Sequence, residues 1–223
     1  MVYSVNLWKM FFRHDDELWK LNEAKKTRKV WLTLIFLLAA TILTFVWTAW
    51  IGLGTAPVSA NMTGLSLFEY EWRKAWFMIG RIGYSLLFFT FILFFSTLIF
   101  WLFNSTSYKK ILIVQMNVLL IMLVERITWI PLLTYAGLDW SLSPLSFGII
   151  ASYFTEQTWI ISFAGAASLF QLFIIWFQAS SLKKISATRP AWIWTGLILW
   201  HLLLWSGAAA LSFYDLELVY LLR

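Results

Sequence analysis

Glu125 and Arg126 stand side by side in a long apolar run, and no other charged pair in the chain is so far from a run's end. Counted from Lys110 at ~1.5 Å per residue, Glu125 lies ~22 Å along a helix. Ionisable groups that deep in an apolar helix are costly, and they face a cavity or a partner. Two uses follow. The pair lines a polar path or fixes a contact with another protein, or it belongs to a structural polar network with Gln115, Asn117 or groups from other helices. Neighbours on a helix project about 100° apart, so the two cannot stack on one face. Pro131, five residues on, frees a backbone carbonyl and adds polarity there.

His201 is alone in another apolar run, and the other histidine, His14, lies near the start of the chain. A zinc site needs three or four convergent ligands, so His201 reads as a hydrogen-bonded packing residue. Arg81, Asp139 and Glu156 gather near one mouth of the runs. An Arg81–Glu156 pair there is weighed against simple solvation, which is favoured. There is no cysteine, which removes thiolate nucleophiles and Cys-ligated metals. No HExxH and no Gly-rich phosphate loop occurs. The chain is therefore expected to be no enzyme, to hold no metal and to need no cofactor.

These residues sit on five apolar runs, spanning about 31–53, 75–103, 111–137, 159–180 and 191–213. Each has about 20 or more residues, enough to cross a hydrocarbon core as a helix. The expected fold is all-α, a polytopic five-helix membrane domain over 30–223 preceded by a cytoplasmic amphipathic segment over 1–29. Composition agrees: 13% of residues are charged, against roughly 25% in a soluble domain. Lys and Arg divide unevenly among the connections. Lys9, Arg13, Lys20, Lys25, Lys26, Arg28, Lys29, Lys109, Lys110, Lys183, Lys184 and Arg189 fall on one side, and Arg73, Lys74, Arg81 and Arg223 on the other. The positive-inside rule puts the N-terminus in the cytoplasm and the C-terminus outside. The net charge of +6 thus reads as topology, and no nucleic-acid partner is expected. Trp31, Trp101, Trp176, Trp192 and Trp194 fall near the inner boundary. Trp47, Trp50, Trp72, Trp76, Trp140 and Trp159 fall near the outer one, as interfacial belts do.

Residues 1–29 read as an amphipathic helix on the inner surface, or as a docking site for a partner. Leu7, Met10, Phe11, Leu18 and Leu21 form its apolar side, and Asp15-Asp16-Glu17 weakens its attraction to anionic lipid. Glu69 and Arg73 at i,i+4 suggest a short helix leading into the second run. The segment 145–154 is too short to cross and reads as an interfacial or re-entrant helix. Asn61-Met62-Thr63 is a sequon that carries meaning only in some hosts. Small residues, Gly165 and Ala166 in the fourth run and Gly207 and Ala208 in the fifth, are expected to bring those two helices into close contact.

The layout resembles the Yip-type family of five-span membrane proteins. Ser168-Leu169-Phe170-Gln171-Leu172-Phe173-Ile174-Ile175-Trp176 is similar to the family's Asp-Leu-Phe-x-x-Trp run, with Gln171 where Asp is common. Ser181-Leu182-Lys183-Lys184-Ile185-Ser186, Ser107-Tyr108-Lys109-Lys110 and Asn6-Leu7-Trp8 are similar to its basic turn, its third-span entry and its bacterial lead-in. Ser181 replaces a usual Gly, and the proline expected early in the third span is absent. The family's eukaryotic members associate with Rab GTPases, and its YknW-type bacterial members accompany an ABC exporter that protects against a toxic peptide. The resemblance implies a non-enzymatic accessory or scaffold in a bacterial plasma membrane, with the bilayer and an ABC transporter as partners. The alternative is a transporter or permease subunit with a polar path at Glu125 and Arg126. The absence of obvious broken-helix pairs weighs against an independent transporter.

Overall fold

The chain begins with two three-residue strands wrapped around two short helices. Strand β1 (Val2–Ser4) lies parallel to β2 (Lys26–Arg28), with Tyr3 opposite Thr27. Helices α1 (Leu7–Phe12) and α2 (His14–Glu23) make the crossover between them, as parallel strands require. This β-α-α-β cap replaces the single amphipathic helix expected over 1–29. Three local causes break that helix. Asn6 caps α1, its Oδ1 accepting from Lys9 N at 3.1 Å. Arg13 leaves the helical region (φ −129°, ψ 52°). Asp15, Asp16 and Glu17 then open α2, where negative charge complements the helix dipole. Tyr3, Val5, Leu7, Met10, Leu18 and Leu21 fill the cap interior, while Trp8, Phe12 and Trp19 point outward, 63–82% exposed.

The computed structural model describes residues 1–52, 66–137 and 143–221, with side chains as far as Ser212. It is predominantly helical, and among the described residues four helices are long and apolar enough to cross a membrane. These are α3 (Val30–Trp50), a continuous helical run Leu67–Phe103, α6 (Tyr108–Ala136) and α10 (Pro190–Leu221), which qualifies over Pro190–Ser212. The run Leu67–Phe103 comprises α4 (Leu67–Thr90), a π-helical turn Phe91–Phe95 and α5 (Ser96–Phe103). The turn expected from Glu69 and Arg73 is helical and continuous with this run. The Glu69 carboxylate turns back, accepting from Ser66 N at 2.9 Å and Ser66 Oγ at 2.7 Å. This reciprocal cap starts the helix at Leu67. The fourth apolar run is not one helix. It divides into α8 (Thr158–Ala166) and α9 (Leu169–Ile185), preceded by the single-turn α7 (Gly148–Ser152).

Residue contacts separate the chain into two compact units. The first combines Met1–Ala39, Phe89–Met122 and Phe170–Leu204. It contains the cap, and Ile111, Met116, Leu119, Ile174 and Phe177 are fully buried there. The π turn brings Phe91 and Phe95 onto Trp200, with ring centroids at 5.9 and 5.8 Å, and Phe100 meets the same indole edge-on. The second unit combines Ala40–Phe88, Leu123–Leu169 and Trp205–Arg223. Phe45 anchors it, packed on Tyr84 and Phe88.

Candidate functional site

Helix α6 carries the buried polar side chains Gln115, Asn117 and Glu125, and it is the most enclosed of the four long apolar helices. Its span is 67% buried, against 28–33% for the other three. Glu125 therefore cannot reach water along its own helix and must find polar company inside. It is 6% exposed, and Ser168 Oγ donates a short hydrogen bond to its Oε1. Thr128 Oγ1 donates to its backbone carbonyl at 2.6 Å.

Ser168 is available because the chain is not helical there. Ala167 leaves the helical region (φ −82°, ψ 99°), and Ser168 forms an antiparallel bridge with Ser146. Phe147 N donates to Ala167 O at 3.0 Å, and Leu169 N donates to Leu145 O at 2.9 Å. The segment 143–147 thus satisfies backbone groups that a helix break would otherwise leave bare in apolar surroundings. Ser146 Oγ donates to Ser143 O at 2.9 Å, so this segment adds further hydroxyls beside the break. Ser168 immediately precedes α9, and the Glu125 carboxylate lies at the helix end that favours negative charge.

Arg126 goes elsewhere. Its guanidinium carbon sits 3.8 Å from the Phe45 ring centroid and 5.4 Å from that of Trp129, a cation–π arrangement. Its buried Nε makes no hydrogen bond. The divergence of neighbours on a helix has separated the pair, Glu125 to a broken helix and Arg126 to aromatic rings. Arg81 lies over Phe77 at 4.8 Å and adds positive potential at Arg126. Glu156 is exposed and forms no ion pair among the described residues. Asp139 lies outside the described residues, as do the sequon and Trp140.

Of the small residues of the fourth run, Gly165 is buried and Ala166 ends α8 just before this break. Gly207 does not make the expected close contact: it is exposed, with open space where a Cβ would stand. Ala208 is half-buried and Ala209 buried. Helices α8 and α10 meet through Ser162 Oγ, which donates to Ser212 Oγ at 3.1 Å, and through an edge-on Phe163–Trp205 contact.

A second polar chain lies in the first unit. His201 Nε2 is 2.9 Å from Gln178 Oε1, and Gln178 Nε2 donates to Gln115 Oε1 at 3.2 Å. An amide oxygen only accepts, so this arrangement requires the Nε2–H tautomer of His201. The three residues join α10, α9 and α6, and Gln178 is the member that composition gave no reason to select. Asn117 bonds Ile113 O at 3.0 Å. Among the described residues no three His, Asp or Glu side chains gather in metal-binding range.

The cap is fastened to helix ends within the same unit. His14 stacks on Trp176 and packs at a tilt against Phe177, and its Nε2 lies 3.1 Å from Ser180 Oγ. Asp15 pairs with Lys184. Lys110 Nζ donates to Asn22 O at 2.7 Å. Trp176, Phe177, Ser180 and Lys184 form one stripe of α9 at helical spacing, and the cap contacts each of them. Burial lowers the His14 pKa, assisted by the Lys184 charge, while the Met10 carbonyl and Asp15 act the other way. The hydrogen bond from Lys184 lowers that of Asp15. No protein-family model, curated protein or solved structure matches this chain.

Proposed function

We propose that the chain is a non-enzymatic accessory protein of a bacterial plasma membrane that works through contact with another membrane protein. In this reading it crosses five times, with α8 and α9 together making the fourth crossing. The cap is then cytoplasmic and the C-terminus outside. The observation that carries the proposal is the cap itself. It is held against α9 and α6 by His14–Ser180, Asp15–Lys184 and Lys110–Asn22, and it leaves Trp8, Phe12 and Trp19 outside its own core. Exposed aromatic side chains on a fixed scaffold are what a contact surface needs. An ABC exporter is the partner class implied by the Yip-type resemblance. Affinity purification from native membranes, with mass spectrometry of what is retained, tests this. Trp8→Ala/Phe12→Ala/Trp19→Ala should cut partner recovery severalfold with Tm unchanged. Equal recovery from both proteins would end the proposal.

A second reading, a transporter or permease subunit, is favoured by one observation: the helix break at Ala167–Ser168 faces Glu125. Broken helices beside an acidic group recur where membrane proteins bind what they carry. Under that reading Glu125→Gln alters flux while partner recovery is unchanged.

A further inference from the structure

The Arg126 guanidinium is a charge that the helices around it surround with rings instead of oxygens. Counted from Lys110 at ~1.5 Å per residue, Arg126 lies ~24 Å along α6. That is ~6 Å short of the far edge of a ~30 Å hydrocarbon core. Phe45 of α3 faces the guanidinium at 3.8 Å, and Trp129, three residues on along α6, at 5.4 Å. Tyr84 of α4 packs on Phe45, with ring centroids 5.4 Å apart. All of these residues belong to the second compact unit.

Ring faces attract a cation, but they do not replace acceptors along its N–H bonds. The buried Nε has no hydrogen-bond partner, and no ion pair to Arg126 occurs among the described residues. The neighbouring carboxylate does not serve, because Glu125 is turned to Ser168. Arg81 adds positive potential at the same place. A guanidinium held in apolar surroundings needs a counter-charge or water. Arg126 is half-buried and not sealed, so the side chain is open to receive one of them.

We propose that Arg126 binds the oxyanion of an anionic amphiphile, a carboxylate or phosphate head on an apolar chain, with Phe45 and Trp129 holding the guanidinium in place. The planar guanidinium matches the oxygens of either head in pairs. Depth selects the amphiphile. An inorganic ion would have to shed its water to enter so apolar a place. An amphiphile keeps its chain in the hydrocarbon and sinks only its head, over a distance that local thinning of the bilayer can shorten. The source is a membrane lipid or a soluble organic acid, and both present the same head. This site is independent of the cap, and its test reads binding instead of partner recovery or flux.

The test uses the full chain in mild detergent. Native mass spectrometry follows phosphatidylglycerol against phosphatidylcholine, and equilibrium dialysis follows radiolabelled octanoate. Preference for phosphatidylglycerol identifies a lipid, octanoate binding without it identifies a soluble acid, and both together identify a site that reads the head alone. Arg126→Gln should weaken the binding by roughly tenfold or more. Arg126→Lys keeps the charge but loses the paired donors, and should fall between. Arg73→Gln removes an exposed positive charge from α4 and should change nothing. The same anion should raise the Tm of the parent with increasing concentration and leave that of Arg126→Gln unmoved. Equal retention of both lipids with no octanoate binding would leave the guanidinium to water and overturn the proposal. Anion binding undiminished in Arg126→Gln would do the same, and if that variant also lost a membrane-protein partner, the charge would belong to a carboxylate of that partner.

Discussion

Ser168 is the residue that makes Glu125 tolerable. A carboxylate enclosed this far needs donors, and removing one costs the desolvation penalty of what remains, about 1–3 kcal/mol. Ser168→Ala should lower stability in detergent by that amount, read from thermal unfolding, whereas Glu125→Gln keeps an acceptor for the hydroxyl and should cost less. An Ser168→Ala protein as stable as the parent would mean that the bond contributes nothing. Gly207 offers the opposite case. With nothing near its missing Cβ, Gly207→Ala should be neutral or stabilising by up to ~1 kcal/mol, since Ala is the better helix former. The depth of Glu125 was legible in the spacing of apolar residues. Its partner, 43 residues away, was not, because a serine among small residues looks the same whether it packs a helix or ends one.

At the scale of elements, the long helices were readable from apolar length alone, and the cap and the broken helix were not. Strands of three residues, Val-Tyr-Ser and Lys-Thr-Arg, carry no periodicity, and only the fold of 2–28 pairs them. The break in the fourth run depends on hydrogen bonds from segment 143–147, and no residue at the break, neither Pro nor Gly, announces it. The cap's docking on α9 should depend on pH through His14. Its docked pKa is lowered by burial, so the undocked state binds the proton more readily. Docking is then fully stable above the undocked value of about 6.5 and weakens as pH falls below it towards the docked value. Asp15 behaves differently in range: its lowered pKa supports docking above its undocked value, about 3.9, and loses that support only in more acidic solution. Protection of the α1 and α2 amides, relative to their intrinsic exchange rate at each pH, should therefore fall between pH 7 and 5, and this should vanish in His14→Phe. Persistence of the change in that variant would assign it to another group.

For the molecule as a whole, the topology is accessible to a direct test because the chain has no cysteine to remove. Single cysteines at Ser105 and Ser186 should react with an impermeant maleimide only from the cytoplasmic side, and one at Gln157 only from outside. Labelling of Ser186 and Gln157 variants from the same side would show that α8 and α9 do not together cross the bilayer.

The cap also sets an order of events. His14 and the Ser180 it contacts are 166 residues apart, so the ribosome makes the cap long before it makes the surface that receives it. At ~5–20 residues per second the interval is roughly 8–33 s. Through that time Phe11 and His14 lack the α9 surface that they pack against, and the cap stays undocked. Chains stalled before α9 should keep the cap open to protease, and those released after Lys184 should close it.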